Sequence, residues 1–148
     1  MTTHRYQGGC HCGNITIAME MTIDPGACTP RACDCDFCTR HGAAYVSDPD
    51  GRLEIGIRNE NDLSRYRQGS GSAEMLVCRN CGVMVAACYI EQASVYATVN
   101  SRAVAGRERF GTEEAVSPKQ WDSQTKIRRW KRLWFKDVRI HAGPASPA

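Results

Sequence analysis

Hydrophobic and polar positions alternate in several short stretches of the chain. In residues 14–21 the apolar side chains fall on every second position, the period of a strand with one buried face, and residues 52–57 repeat this pattern. Gly, Pro, Asn and Asp separate further segments of the same kind, which are residues 43–47, 74–77, 82–90, 94–99 and 135–140. We therefore expect a mostly β fold built from short strands.

One segment near the C-terminus has a helical period instead. Ser117 and Pro118 are a typical N-cap and first-turn pair, and they predict a helix over residues 118–134. The apolar residues that share one face of this helix are Ile127, Trp130, Leu133 and Trp134. The other face carries Arg128, Arg129, Lys131 and Arg132. Basic faces can contact phosphate or membranes, but an amphipathic surface helix usually exposes such a face to solvent, which is the interpretation we favour.

Length and composition fit one globular domain. The chain has 148 residues, 42% of them hydrophobic, and we expect a single domain over residues 1–140 with a disordered tail at 141–148. The N-terminal sequence MTTHRYQGG lacks the basic and apolar regions of a signal peptide, and the longest apolar run, residues 83–90, is too short to cross a bilayer. These features predict a soluble cytoplasmic protein without a membrane partner.

Nine cysteines are many for a chain of this size. In a reducing compartment, clustered thiols are more often metal ligands than disulfides, and the odd number agrees with that interpretation. The formal net charge of +3 counts every thiol as neutral. Seven zinc-bound thiolates and two zinc ions would bring the net charge to about zero, so the composition does not indicate a nucleic-acid partner.

Two short cysteine pairs, far apart in sequence, suit a closed structural zinc site, which needs four ligands. These pairs are Cys10 with Cys12 and Cys78 with Cys81. Gly13 and Gly82 directly follow them, where a tight turn with positive φ would bring backbone amides close to the sulfurs. Such a site would tie the N-terminal strand to a hairpin much later in the chain.

Three further cysteines, Cys33, Cys35 and Cys38, leave a fourth zinc position open for water or substrate, as in catalytic sites. Spacing alone leaves two alternatives. Cys28, Cys88 or His41 could complete a second closed site, or Cys35 and Cys38 could join the later CxxC pair. The sequence gives less support to a thiol-redox function, because the flanking aspartates would raise the pKa of these thiols.

The ordered motifs GGCHCG (residues 8–13), CxCxxC (residues 33–38) and CRNCG (residues 78–82) resemble the glutathione-dependent formaldehyde-activating family, also called the centromere-protein-V family. The resemblance covers about residues 5–110. It implies an Mss4-like β-tent of small antiparallel sheets that holds two zinc ions per chain. The implied structural zinc ligands are Cys10, Cys12, Cys78 and Cys81, and the implied catalytic zinc ligands are Cys33, Cys35 and Cys38.

The resemblance also implies an activity: a carbon–sulfur lyase reaction that interconverts formaldehyde and glutathione with S-hydroxymethylglutathione, and so serves aldehyde detoxification. The implied partners are a small aldehyde and a thiol. Two alternatives remain at this stage. One is a non-catalytic zinc-binding module that uses the basic helix face for a protein or nucleic acid, and the other is a zinc hydrolase of another small carbonyl compound. The tryptophans of the helix also allow a homodimer.

Residues around the CxCxxC motif supply further candidates. Asp36, like Asp34, could orient a water molecule, although Asp is also common in turns, and His41 could be a base, a ligand or a loop residue. Phe37 and Tyr45 could form an apolar wall, with strand core the favoured role for Tyr45. We interpret His11 as structural, Cys28 and Cys88 as buried apolar residues, and residues 67–74 (RQGSGSAE) as an ordinary loop.

Overall fold

The computed structural model describes residues 2–142. Its β-strands are β1 (His4–Gly9), β2 (Ile15–Met21), β3 (Arg31–Cys33), β4 (Ala44–Val46), β5 (Arg52–Ile57), β6 (Leu63–Arg67), β7 (Glu74–Cys78), β8 (Met84–Glu91), β9 (Ser94–Asn100), β10 (Glu114–Val116) and β11 (Asp137–Ala142). The α-helices are α1 (Asp36–His41) and α2 (Ser123–Leu133). Short 3-10 helices cover Pro25–Ala27, Glu60–Asp62, Ser101–Ala103, Arg107–Arg109 and Pro118–Gln120.

The strands form two sheets, with the orders β1-β2-β5-β11 and β10-β3-β4-β9-β8-β7-β6. The predicted mostly β fold with a C-terminal helix is confirmed, and each of the predicted strand segments corresponds to a strand. Two strand pairs, β3 with β10 and β5 with β11, are parallel, whereas we expected antiparallel sheets. Strands β10 and β11 each lie at the edge of their sheet, and each follows a long connection from the strand with which it pairs. Helix α2 is part of the connection that leads to β11.

The larger sheet contributes to a different apolar cluster on each face, and successive side chains of one strand point into different clusters. Val46, Leu76 and Val99 contribute to a core shared with the smaller sheet, including the alternating apolar residues of β2 and β5. Their neighbours Tyr45 and Met75 belong to a second apolar cluster, which packs with Trp134. One sheet therefore supports the main core on one side and a separate apolar cluster on the other.

The C-terminal helix starts later than the pattern predicted. Pro118 opens only a 3-10 turn, and α2 begins at Ser123 with Asp122 as its N-cap. The Asp122 carboxylate accepts a hydrogen bond of 2.8 Å from the backbone N–H of Thr125. This bond satisfies a helix-terminal donor, whereas Ser117 makes no capping hydrogen bond, so the helix is capped at Asp122 and not at Ser117.

Strands without a clear alternation escaped sequence interpretation. They are β1, β3, β6 and β10, together with the single helical turn α1. Of the tail predicted to be disordered, His141 and Ala142 complete β11, and positions 143–148 lie outside the described residues. Backbone pairing to β5, rather than side-chain pattern, extends the strand this far.

Candidate metal centres and the adjoining cavity

Two turns, from distant parts of the chain, bring four cysteines together. Cys10 and Cys12 lie in the β1–β2 turn, while Cys78 ends β7 and Cys81 lies in the turn to β8. Their four sulfurs all lie within 4.8 Å of one another. Gly13 and Gly82 have the predicted positive φ values of 85° and 82°. A side chain would be strained at either position, so the two glycines allow the tight turns that present the sulfurs.

The four sulfurs have the spacing of a tetrahedral zinc site. A zinc–sulfur bond of about 2.3 Å puts the sulfurs of a regular tetrahedron about 3.8 Å apart. The Cys10 and Cys12 Sγ atoms are 3.8 Å apart, and those of Cys12 and Cys78 are 3.5 Å apart. The backbone N–H of Ile15 donates to Cys10 Sγ at 3.2 Å. This donor set of four sulfurs therefore suits a zinc ion.

The pKa values of this cluster differ among its thiols. Burial raises the pKa of Cys78 to about 11. At Cys81 burial acts in the same direction, but hydrogen bonds from the Val83 and Cys12 backbone N–H groups, aided by neighbouring thiols, lower the pKa to about 6. Crowded thiolates repel one another, so a divalent cation is what allows all four to ionise together.

The second group contains three cysteines, Cys33, Cys35 and Cys38, whose sulfurs also lie within 4.8 Å of one another. Cys33 ends β3, Cys35 is the N-cap of α1, and Cys38 lies within α1. The Cys35 sulfur accepts a hydrogen bond of 3.4 Å from the Cys38 backbone N–H. The short helix α1 thus folds the CxxC segment back so that its two thiols meet the third from the adjacent strand.

No fourth protein ligand joins this group among residues 2–142. Cys28 and Cys88 are buried elsewhere, and neither they nor His41 belong to a set of ligand atoms within 4.8 Å. The alternative in which Cys35 and Cys38 join the later CxxC pair is also absent from this part of the chain, because that pair meets Cys10 and Cys12. The spacing of these three sulfurs suits a metal site with one open position.

Tyr45 supports the most deeply buried of the three thiols. Its hydroxyl lies 3.1 Å from the Cys38 Sγ and 3.8 Å from the Met84 Sδ. Burial raises the pKa of the Tyr45 hydroxyl far above its usual range, so the group stays protonated and can donate to a thiolate. Hydrogen bonds, of which the one from the Cys38 thiol contributes most, lower the pKa of Cys33 to about 6. The hydrogen bond with Cys33, together with burial, raises the pKa of Cys38.

A cavity of about 160 Å³ opens directly beside the three thiols. One face of the larger sheet forms the floor of the cavity. Arg31 pairs with Tyr45, and Ala87 pairs with both Thr98 and Met75, so these residues share that face. Helix α2 and the segment before it form the opposite wall. The residues that this wall contributes are Val116, Pro118, Lys119, Trp121, Lys126, Arg129, Trp130, Leu133 and Trp134.

Basic side chains line this cavity, although its walls are mainly apolar. Arg31, Lys119, Lys126 and Arg129 line it, and no acidic side chain of residues 2–142 does. Lys119 lies 3.9 Å from an Asp34 carboxylate oxygen. Burial, together with the nearby charge of Arg129, lowers the pKa of Arg31, yet a guanidinium remains charged near neutral pH. The cavity therefore has basic side chains both on its floor and on its opposite wall.

Two predicted candidates lie away from this cavity. Asp36 and His41 are exposed on α1, and neither lines the cavity; the His41 ring packs against Phe37 at a centroid distance of 4.6 Å. Tyr45, by contrast, lines the cavity as well as contributing to a buried cluster. The chemical roles proposed for Asp36 and His41 stay predictions.

Several lining residues escaped sequence analysis. Gln68 and Gly69, in the loop interpreted as ordinary, line the cavity, and Gln68 Nε2 lies 3.9 Å from Cys35 Sγ. Arg129, expected on a solvent-exposed face, lines the cavity because it lies four positions before Leu133 on one helical stripe. Arg31 could have been found from its spacing, since it lies two positions before Cys33 on a strand.

No helix within residues 2–142 is long and apolar enough to span a membrane. A comparison with curated proteins gave no match. One solved structure that resembles the chain is a crystal structure of a Rhodobacter sphaeroides protein, with 29% identity and a TM-score of 0.50. The match covers 73% of this chain and 99% of that protein.

A protein-family model described as "Glutathione-dependent formaldehyde-activating enzyme" matches residues 5–121. The match contains both cysteine groups and ends just before α2. The two sheets and the C-terminal helix agree with the Mss4-like fold that the motifs implied. Taken with the ordered cysteine motifs, the match over most of its length shows that this chain is a member of the glutathione-dependent formaldehyde-activating enzyme family.

Proposed function

We propose that this protein is a cytoplasmic, zinc-dependent carbon–sulfur lyase of aldehyde detoxification. Its reaction would interconvert a formaldehyde-like aldehyde and a glutathione-like thiol with their S-hydroxyalkyl adduct. One observation carries the proposal: three cysteine sulfurs converge beside a cavity, and no fourth protein ligand joins them within the described residues. A closed structural site would need a fourth protein ligand, whereas a catalytic site leaves that position for substrate.

In the forward direction the thiol sulfur bonds to the carbonyl carbon, the carbon–oxygen π bond breaks, and the oxygen gains the proton that the thiol loses. Breakdown of the adduct reverses each change. Cys33, Cys35 and Cys38 would hold the zinc, which when bound supplies a Lewis acid that favours an ionised thiol and a polarised carbonyl. Asp36 and His41 remain candidates for proton exchange on the solvent side of α1.

The chain's other residues would orient the reactants and shield them from water. The Tyr45 hydroxyl can donate to the Cys38 sulfur at 3.1 Å, which limits the charge on this thiolate and fixes its direction. The rings of Trp130 and Trp134 stack with centroids 4.8 Å apart in the cavity wall. Such a rigid apolar wall confines a small substrate beside the cysteines and so reduces the entropy cost of bringing two reactants together.

The four-cysteine group would hold a structural zinc. Cys10 and Cys12 follow β1, and Cys78 and Cys81 flank the β7–β8 turn, so the ion would crosslink the two sheets. Because the unfolded chain has no preformed site, this binding energy would contribute directly to folding.

Binding of a protein or nucleic acid through the basic helix face receives less support. Arg129 lines the cavity, and the Lys131 Nζ lies 2.5 Å from a Glu91 carboxylate oxygen. Arg128 and Arg132 are the residues of that face that stay exposed. A homodimer through the tryptophan-rich helix remains a prediction, which light scattering of the purified protein would test.

NMR exchange spectroscopy at equilibrium tests the lyase reaction. Formaldehyde and glutathione combine without a catalyst, so the rate of exchange with S-hydroxymethylglutathione must be compared with a sample that lacks protein. We expect zinc-loaded protein to accelerate exchange and Cys38→Ser to lose the acceleration. Cys28→Ala is the matched control, because Cys28 is equally buried but belongs to neither cysteine group.

Exchange no faster than background, with two zinc ions per chain confirmed by elemental analysis, would refute the lyase proposal. Turnover of a carbonyl compound in the absence of any thiol would instead indicate a hydrolase. Retention of full activity in Cys38→Ser would remove the three-cysteine group from the mechanism.

A further inference from the structure

Arg31 is held in an unusual environment on the cavity floor. It is half-buried, and its Nη2 donates to the Ser47 hydroxyl at 2.8 Å and to the Thr98 hydroxyl at 3.4 Å. Those hydroxyls in turn donate to the carbonyl oxygens of Leu133 and Val46, at 2.7 and 3.0 Å. Since their protons are already engaged, both hydroxyls can only accept from the guanidinium. The hydroxyls therefore fix its position.

Arg31 forms no ion pair with a carboxylate in residues 2–142. No carboxylate of these residues lies within 4.0 Å of it, and none of its hydrogen bonds goes to a cysteine sulfur. Its Nε and Nη1 groups donate to no residue in the described range. A half-buried guanidinium with an immobilised edge and free donors is suited to an oxyanion that arrives with a ligand.

Arg129 adds a second unpaired charge from the opposite wall. Its guanidinium lies over the Trp121 ring, 4.2 Å from the centroid, and forms no ion pair within residues 2–142. Arg129 and Arg31 line the same cavity, Arg129 from the α2 wall and Arg31 from the floor, so both positive charges adjoin the space that a ligand would fill. Two positive charges that line one apolar cavity without a carboxylate partner favour the binding of an anion there.

From these contacts we infer that Arg31 and Arg129 form a carboxylate-binding subsite, which selects a carboxylate-bearing thiol over a neutral thiol of the same size. The inference rests on the proposed function, because it places the thiol of that substrate at the three-cysteine group. Arg31 lies on the same face of β3 as Cys33, so one ligand could reach both sites across a cavity of about 160 Å³. The family match ends before Arg129, so the subsite depends on a part of the chain outside it.

The test compares two probes that differ in charge but hardly in shape, 3-mercaptopropionate and 3-mercaptopropionamide. Binding to zinc-loaded protein is followed by tryptophan fluorescence, because Trp121, Trp130 and Trp134 line the cavity. No aldehyde is present, so the readout does not require lyase activity. We expect the acid to bind roughly tenfold or more tightly than the amide, as one or two charged hydrogen bonds would give.

Arg31→Met and Arg129→Gln should each remove most of that preference, and Arg31→Lys should keep part of it. Arg128→Gln is the matched control, since Arg128 is adjacent in sequence but exposed. Zinc content is measured for every variant. Equal binding of acid and amide by the wild type would overturn the subsite, as would a preference that survives in Arg129→Gln. Lyase activity toward a neutral thiol, without acid selectivity, would leave the proposed function intact.

Discussion

Replacing Tyr45 with phenylalanine removes one hydroxyl from the three-cysteine group and changes little else. This oxygen lies 3.1 Å from the Cys38 Sγ, and Cys38 is only 2% exposed. Water therefore has little access to replace the lost donor. A hydrogen bond to a charged group contributes roughly 1.5–3 kcal/mol, so we expect Tyr45→Phe to weaken zinc binding at this group about 10- to 100-fold.

The assay is competition with chelators of graded zinc affinity, followed by the zinc content of the protein. The wild type should release its two ions in two steps. In Tyr45→Phe the step of the three-cysteine group should shift to a weaker chelator, and that of the four-cysteine group should not move. Tyr66→Phe is a suitable control, because Tyr66 is 50% exposed and forms no hydrogen bond to a thiol in the described residues.

Unchanged chelation in Tyr45→Phe would refute this reasoning. It would mean that the hydroxyl donates to the Met84 Sδ, at 3.8 Å, instead of the Cys38 thiolate. An equal shift at both zinc sites would point to a general loss of stability rather than to the lost donor.

Two further predictions concern the metal sites. Zinc affinity at the three-cysteine group should fall as pH falls, because the pKa of Cys38 is raised and this thiol must lose a proton to bind zinc. The dependence of affinity on pH should become steeper below the Cys33 pKa of about 6, where Cys33 is protonated as well. Calorimetry over a pH series measures both effects. A constant slope through pH 6 would contradict this. Cys78→Ser should release one zinc and lower the melting temperature strongly, since an ion at 1,000 times its Kd contributes about 4 kcal/mol, whereas Cys38→Ser should release the other zinc with a smaller thermal shift. Equal melting temperatures for the two variants would argue against a structural role for the four-cysteine group.

The sequence alone predicted features that depend on local spacing. Alternating apolar residues identified β2 and β5, and CxC, CxxC and glycine spacing identified the four-cysteine group. Such patterns work because a strand repeats every two residues and a short chelating loop fixes the separation of its sulfurs. The mostly β fold and the family followed from the same motifs.

Tertiary structure decided how these local features meet. The pairing of β3 with β4 placed Arg31 beside Tyr45, and the packing of α2 brought Arg129 to the cavity. Local spacing relates Arg31 to Cys33 and Arg129 to Leu133, but it does not show that these two segments face each other. It also separated Cys28 from the three-cysteine group, which spacing had left as a possible ligand. A metal site held by nearby residues is visible in one dimension. The cavity beside it exists only where elements distant in sequence pack, because its shape and charge depend on side chains that become neighbours on folding.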